Sequence, residues 1–155
     1  MALTTLREAI LDQIAAELAA ITVANGFEQT VKKVYRTGES TVTINEDPSL
    51  LMVDRGDTAA RLVQFAYEMR LQLEIKTLTR EYVTALKRQE VERLRADVIK
   101  RLMQDETHGG YAVATFVQGT DTRLPEVNDP DGIALVTVEV QYRVVESNPY
   151  QQQIL

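Results

Sequence analysis

The chain has no cysteine among its 155 residues, which excludes disulfides, thiolate metal sites and cysteine nucleophiles. Folding therefore depends on no particular redox compartment. Only one histidine is present. Cations are in the minority, with 17 Lys and Arg against 23 Asp and Glu and a formal net charge of -6. That balance argues against a dedicated nucleic-acid surface, because displacing counterions from phosphates needs clustered excess Lys and Arg. No apolar run approaches the length of a membrane-spanning helix. The opening MALTTLREAI lacks the basic-then-apolar layout of a signal peptide, so the expectation is a soluble protein folded in a cytoplasm. Phosphate-binding glycine loops are missing too: Gly38 and Gly56 stand alone in turns. No serine lies in an elbow motif. Together these absences point away from an enzyme.

What remains is the composition of an ordinary globular domain, 45% hydrophobic and 26% charged. At this length one domain buries about 70% of its unfolded surface. The organising stretch is QEVERLRADVIKRLMQDETHGG, Gln89 to Gly110. Val91, Leu94, Val98, Ile99, Leu102 and Met103 fall on one face of a 3.6-residue repeat, with Glu92, Arg93, Arg95, Lys100 and Arg101 largely opposite. Gly109 or Gly110 closes this helix in the left-handed conformation.

An earlier helix is expected from Leu3 to Ala24, with Leu6, Ile10, Leu11, Ile14, Leu18 and Ile21 as its stripe and Thr4 or Thr5 as N-cap. Asn25-Gly26 stops it. Glu28 to Tyr35 reads as a short strand, Arg36 to Pro48 as a polar loop, and Leu50 to Val53 as a strand ending in a turn at Asp54 to Asp57. The clearest alternation runs Val63, Phe65, Tyr67, Met69, Leu71, Leu73, Ile75, a single long strand. After the central helix come a strand at Tyr111 to Val117 and a polar loop at Gln118 to Gly132. A closing strand at Ala134 to Val145 follows, then a tail at Glu146 to Leu155 with a polar centre, read as either flexible or docked on a neighbour. The order predicts an α+β fold, with two helices packed on one face of a mostly antiparallel or mixed sheet of about five strands and projecting polar loops.

Few side chains suggest chemistry. His108 beside two glycines has the makings of a general base or a metal ligand, but no orienting carboxylate is evident beyond its sequence neighbours Asp105 and Glu106, and the reading is an exposed helix end. Asp121, Asp129 and Asp131 lack the order of a calcium loop and read as solvated. Arg93, Arg95, Lys100 and Arg101 alternate with Glu90, Glu92 and Asp97, the pattern of a salt-bridged exposed face. The two polar loops are candidate contact surfaces, since long connections in compact domains often bind something. Their probes are Arg36, Glu39, Glu46 and Asp47 in the first loop, and Asp121, Arg123 and Glu126 in the second.

Three passages resemble the tail terminator (minor tail) proteins of long-tailed bacteriophages: ITVANGFEQTVKKVYR at Ile21 to Arg36, RADVIKRLMQDETHGGY at Arg95 to Tyr111, and VTVEVQYRV at Val136 to Val144. The resemblance implies a single α+β domain over 1–155 that assembles as a homo-hexameric ring on the head-proximal end of the tail tube. Such a ring ends tube polymerisation and offers a surface to the head-tail connector, while DNA passes through its lumen without specific binding. It implies a virion location, no catalytic residue, no cofactor, no metal and no membrane. Two alternatives stand beside it: a neck or head-completion protein that joins connector to tail, and a small intracellular enzyme or regulator.

Overall fold

Thr5 begins the first helix by accepting the Glu8 backbone N–H on its hydroxyl at 3.1 Å. The computed structural model describes residues 3–36, 47–63, 66–80, 84–123, 131–145 and 147–152. Helix α1 spans Leu6–Ala19 and buries Leu6, Ile10, Leu11, Ile14 and Leu18. It ends short of the expected Ala24. Thr22 instead accepts from the Asn25 N–H and opens a 3₁₀ turn over Val23–Asn25, closed by Gly26 at φ 91°.

Strand β1 covers only Lys33–Arg36, later than the expected start at Glu28. The N–H groups of Glu28 and Gln29 are held by the Asp97 carboxylate, at 3.2 and 2.8 Å, and so do not enter a ladder. Strand β2, Ser49–Val63, is 15 residues long. The expected turn at Asp54 to Asp57 is a bulge within it: pairing steps from Asp54↔Leu73 to Asp57↔Leu71, and Gly56 takes φ 89° with its N–H on the Asp54 carboxylate. Strand β3 is Ala66–Arg80. The single long alternation is therefore broken at its start, because Val63 belongs to β2 and pairs with Ala66 across a hairpin. From Leu71 onward the alternation holds, with Leu71, Leu73 and Ile75 fully buried.

Helix α2, Thr84–Gln104, starts a turn or more before Gln89 and buries Val91, Leu94, Val98 and Leu102. The chain then turns through three successive positive-φ residues, His108, Gly109 and Gly110, at 48°, 76° and 87°. Strand β4 is Ala114–Arg123 and β5 is Asp131–Val145. The expected loop from Gln118 to Gly132 is thus mostly strand at both ends, and its centre, 124–130, lies outside the described residues. Part of the expected flexible tail is also ordered: β6, Asn148–Gln152, pairs with the end of β5.

Among the described residues the sheet has six strands in the order β1-β2-β3-β5-β4, with β6 also on β5. Only β1 on β2 is parallel; the other pairings are antiparallel. Both helices pack on one face, where α1 and α2 meet Leu50, Met52, Leu71, Leu73, Ile75, Val136, Val138, Val140 and Tyr142 in one core. The α+β expectation holds, with one strand more than foreseen.

Gly132 sets how closely α2 lies on β5. A Cβ built there falls 2.2 Å from Val91 Cγ2, inside any permitted contact. Gly132→Ala is therefore expected to lose roughly 1–3 kcal/mol of stability by overpacking, measured by urea denaturation. Gly119→Ala is the control: its added Cβ meets nothing within 4 Å, and stability is expected to hold.

Candidate assembly surface

The sequence-derived probes separate once placed on the fold. Arg36 is the last residue of β1, not a loop residue; its guanidinium bridges to α1 through Asp12 at 2.6 Å and Glu8 at 3.6 Å. Glu39 and Glu46 lie outside the described residues. Asp47 accepts the Arg80 N–H at 2.8 Å and so ties the approach to β2 onto the end of β3. Asp121 sits on β4 and is exposed, and Arg123 ends that strand opposite Ile133. Glu126 lies outside the described residues. Of the three aspartates weighed as cation ligands, Asp121 is on β4, Asp131 begins β5 and Asp129 is not described. Among the described residues no three His, Asp or Glu side chains gather into a cation site.

Asp121 belongs instead to the sheet face that carries no helix. Period-two alternation sends Glu68, Arg70, Gln72, Glu74, Lys76 and Leu78 of β3 to this face, beside Ile133, Leu135, Thr137, Glu139 and Gln141 of β5. Its middle is polar. The Glu139 carboxylate accepts from Gln141, Gln72 and Gln118 at 3.0, 3.1 and 2.9 Å, and those bonds hold it below the usual carboxylate range. One end is apolar: Lys76, Asp121, Ile133 and Leu135 line a shallow depression of about 250 Å³.

The strand edges are the other open surface. Strand β1 pairs with β2 at Ser49–Met52, and from Asp57 to Val63 the outer side of β2 pairs with no strand among the described residues. At the opposite edge, β4 pairs among the described residues with β5 alone. Near its start lie three exposed large apolar side chains: Tyr111, Val113 and Phe116, the last 50% exposed. An unpaired edge of this length is a template for another strand.

Buried polar groups hold these surfaces in place. His108 is not at an exposed helix end. It is fully buried, with Nδ1 at 2.7 Å from Glu17 Oε2 and Nε2 at 2.7 Å from Thr115 Oγ1. The orienting carboxylate that the sequence reading found wanting comes from α1, 91 residues away. Thr115 gives its own hydroxyl proton to the Glu106 carbonyl at 2.9 Å, so it accepts from Nε2–H. These bonds compensate a left-handed backbone at a residue with a Cβ, which costs roughly 1–2 kcal/mol. The arrangement has the parts of an acid–base relay but no access for a substrate, and its chemistry is structural. Asp97 departs from its expected place in the same way: it is buried on α2 and caps the segment before β1 through two backbone N–H groups. Arg93 and Arg95 do form the expected surface ion pairs, with Glu90 and Glu92. Lys100 lies over the Phe27 ring, and Arg101 donates to the Glu17 carbonyl.

A third anchor joins α1 to the bulge of β2. Arg7 donates to Asp54 at 2.5 Å and to Asp57 at 2.9 Å, and the Tyr142 hydroxyl donates to Asp57 at 2.7 Å. Burial, then the bond to Asp57, pushes the Tyr142 phenol well above its usual range. Desolvation pushes the Asp54 carboxyl up, but bonds from Arg7 and the Gly56 N–H outweigh it and hold the group below its ordinary 3.8.

Compared with protein-family models and with curated proteins, the chain matches none.

A carboxyl depressed in the folded state contributes stability above its unfolded pKa and loses it as pH falls through the folded value. For Asp54 that window lies below its ordinary 3.8. The acid limb of the stability–pH curve is expected to be shallower in Arg7→Gln than in the parent chain, measured by urea unfolding at stepped pH. Parallel limbs would remove Arg7 as the cause.

Proposed function

We propose that this chain is a structural, non-enzymatic ring subunit of the tail-terminator kind, which caps the head-proximal end of a phage tail tube and offers the joining surface to the head-tail connector. The observation that carries the reading is the sense of the two edges that pair with no further strand among the described residues. Strand β2 is antiparallel to β3, β3 to β5, and β5 to β4, so the exposed strands β2 and β4 run in opposite directions. Rotation about a ring axis preserves strand direction relative to that axis. Each copy's β2 edge then meets its neighbour's β4 edge antiparallel, as every pairing within this part of the sheet already is. One heterologous contact repeated in this way gives a ring where its rotation closes. The three sequence passages that resemble the family agree with this reading. So does the net charge of -6, because like charge keeps sliding DNA from adhering to the wall. The tube protein and the connector or head-completion protein are the partners it implies.

Lysine placed on the free edge by Thr58→Lys with Ala60→Lys is expected to leave the monomer folded, by circular dichroism, and to abolish ring formation in sedimentation and electron microscopy. Phe116→Lys should do the same from the other edge. Rings that form in all of these variants would overturn edge pairing. In a phage whose copy of the gene is disrupted, micrographs are expected to show overlong, variable tails detached from heads. Tails of normal length beside filled heads would favour the neck reading, and intact virions would sink both.

A further inference from the structure

We infer that the apolar end of the helix-free sheet face is a two-fold contact for a second copy of this chain, with Lys76 of each copy set against Asp121 of the other on either side of Leu135. The inference stands on the face and not on the strand edges, so it does not depend on the ring.

The strand registers lay this end of the face out in rows. Leu51, Lys76, Leu135 and Asp121 stand level across β2, β3, β5 and β4. The next row outward is Ser49, Leu78, Ile133 and Arg123, and the next inward is Val53, Glu74, Thr137 and Gly119. The depression at Lys76, Asp121, Ile133 and Leu135 continues past Lys76 into a smaller hollow of about 80 Å³ against Leu51 and Leu78. Lys76 and Asp121 are both exposed, and neither has an ion-pair partner among the described residues. By contrast, Arg55 is paired with Glu74 and Arg70 with Glu68 on the same face. An apolar trough thus lies between two unpaired charges of opposite sign, one strand to either side of β5.

That order, cation then apolar then anion, is its own complement under one symmetry operation. A two-fold axis lying on the face along β5 exchanges the two sides of Leu135 as it turns the second copy over. Lys76 then meets Asp121 of the second copy, Asp121 meets its Lys76, and Leu135 and Ile133 each meet their own counterparts. An axis along the row would set Lys76 on Lys76 and Asp121 on Asp121, and like charges oppose that docking. The second copy carries its acid and base at the matching separation by construction, two strand spacings or about 10 Å. The contact ends where the face becomes polar. There the same axis sets Glu139 against Glu139, each held ionised by Gln72, Gln118 and Gln141, and aligned sheets diverge at about 30°. Three rows across four strands cover roughly 400 Å² on each copy, the size of a weak contact.

The test is made in the chain carrying Thr58→Lys with Ala60→Lys, where lysines block the β2 edge and leave the face to be read by itself. Sedimentation from about 10 μM to about 1 mM is expected to show a monomer–dimer equilibrium. Lys76→Glu and Asp121→Lys, both at exposed positions, should each weaken it about tenfold, since two symmetric attractions become two repulsions. An equimolar mixture of these two variants should form heterodimers as readily as the unreversed chain forms dimers, because each reversed charge then faces its opposite. Both variants keep a net negative charge, so general attraction between them does not produce that result. A chain that stays monomeric throughout would overturn the inference. So would dimers indifferent to either reversal, or a mixture that associates no better than its components.

Discussion

A carboxylate at position 17 has to be satisfied without water, and that requirement reaches across the fold. Glu17 occupies a core-facing step of α1, three residues after Ile14 and next to Leu18. An unpaired charge there would cost several kcal/mol. Its partner comes from the far end of α2, where His108 must adopt a left-handed backbone to bring its ring inward. Two glycines follow because the chain stays left-handed for two more residues before β4. Asp97 repeats the device on α2: it follows Leu94 by three, is buried, and draws the backbone of Glu28 and Gln29 onto the helix. Each helix thus gives one position of its apolar stripe to fastening a neighbouring connection.

This explains what the sequence made legible and what it did not. Periodicity located both helices and their stripes, the alternation from Leu71 to Ile75 and that from Val136 to Val144, because burial on one face is written locally as apolar spacing. It placed α2 as the bar across the sheet. The buried polar residues were misplaced because the stripe was read from apolar letters alone. Glu17 and Asp97 sit in phase with it, and that phase was the available signal. His108 looked exposed because its partner is distant in sequence. Strand ends were misjudged where polar letters serve the helix-free face. Gln118 to Arg123 and Asp54 to Asp57 read as loop and turn, yet one is edge strand and the other a bulge. Of the surface probes, Arg36 and Asp47 became internal ties, and Asp121 alone was placed on an open face.

The helix-free face shows why composition conceals so much of this sheet. A face packed on helices needs Leu, Ile and Val at every second residue, whereas a face open to water takes Glu, Arg, Gln and Thr without cost. Around Glu139 the polar residues bond to one another, as Gln72, Gln118 and Gln141 converge on one carboxylate from three strands. Toward Ile133 and Leu135 the same face becomes apolar, with Lys76 and Asp121 at its margin. The change along a single face comes from the strands themselves, since β3 and β5 pair without a break from Ala66↔Val145 to Arg80↔Asp131.

The two free edges are also offset along the strands, and that offset bears on how a ring could close. Strand β1 occupies the outer side of β2 at Ser49–Met52, and among the described residues the hairpin end of β2 carries no further strand. Through β3, that open stretch is level with Val140 to Val145 of β5, whereas β4 pairs with β5 over Ile133 to Gln141. A neighbour's β4 can therefore reach β2 only by sliding toward the hairpin. Strands in a closed sheet must tilt and step in register, and a set of edges meeting at equal height would give a flat, untwisted closure. On the ring reading, β1 is a spacer: by occupying one end of the β2 edge, Ser49–Met52, it forces the step that closure requires and opposes edge-to-edge stacking of two copies in a level, open-ended sheet.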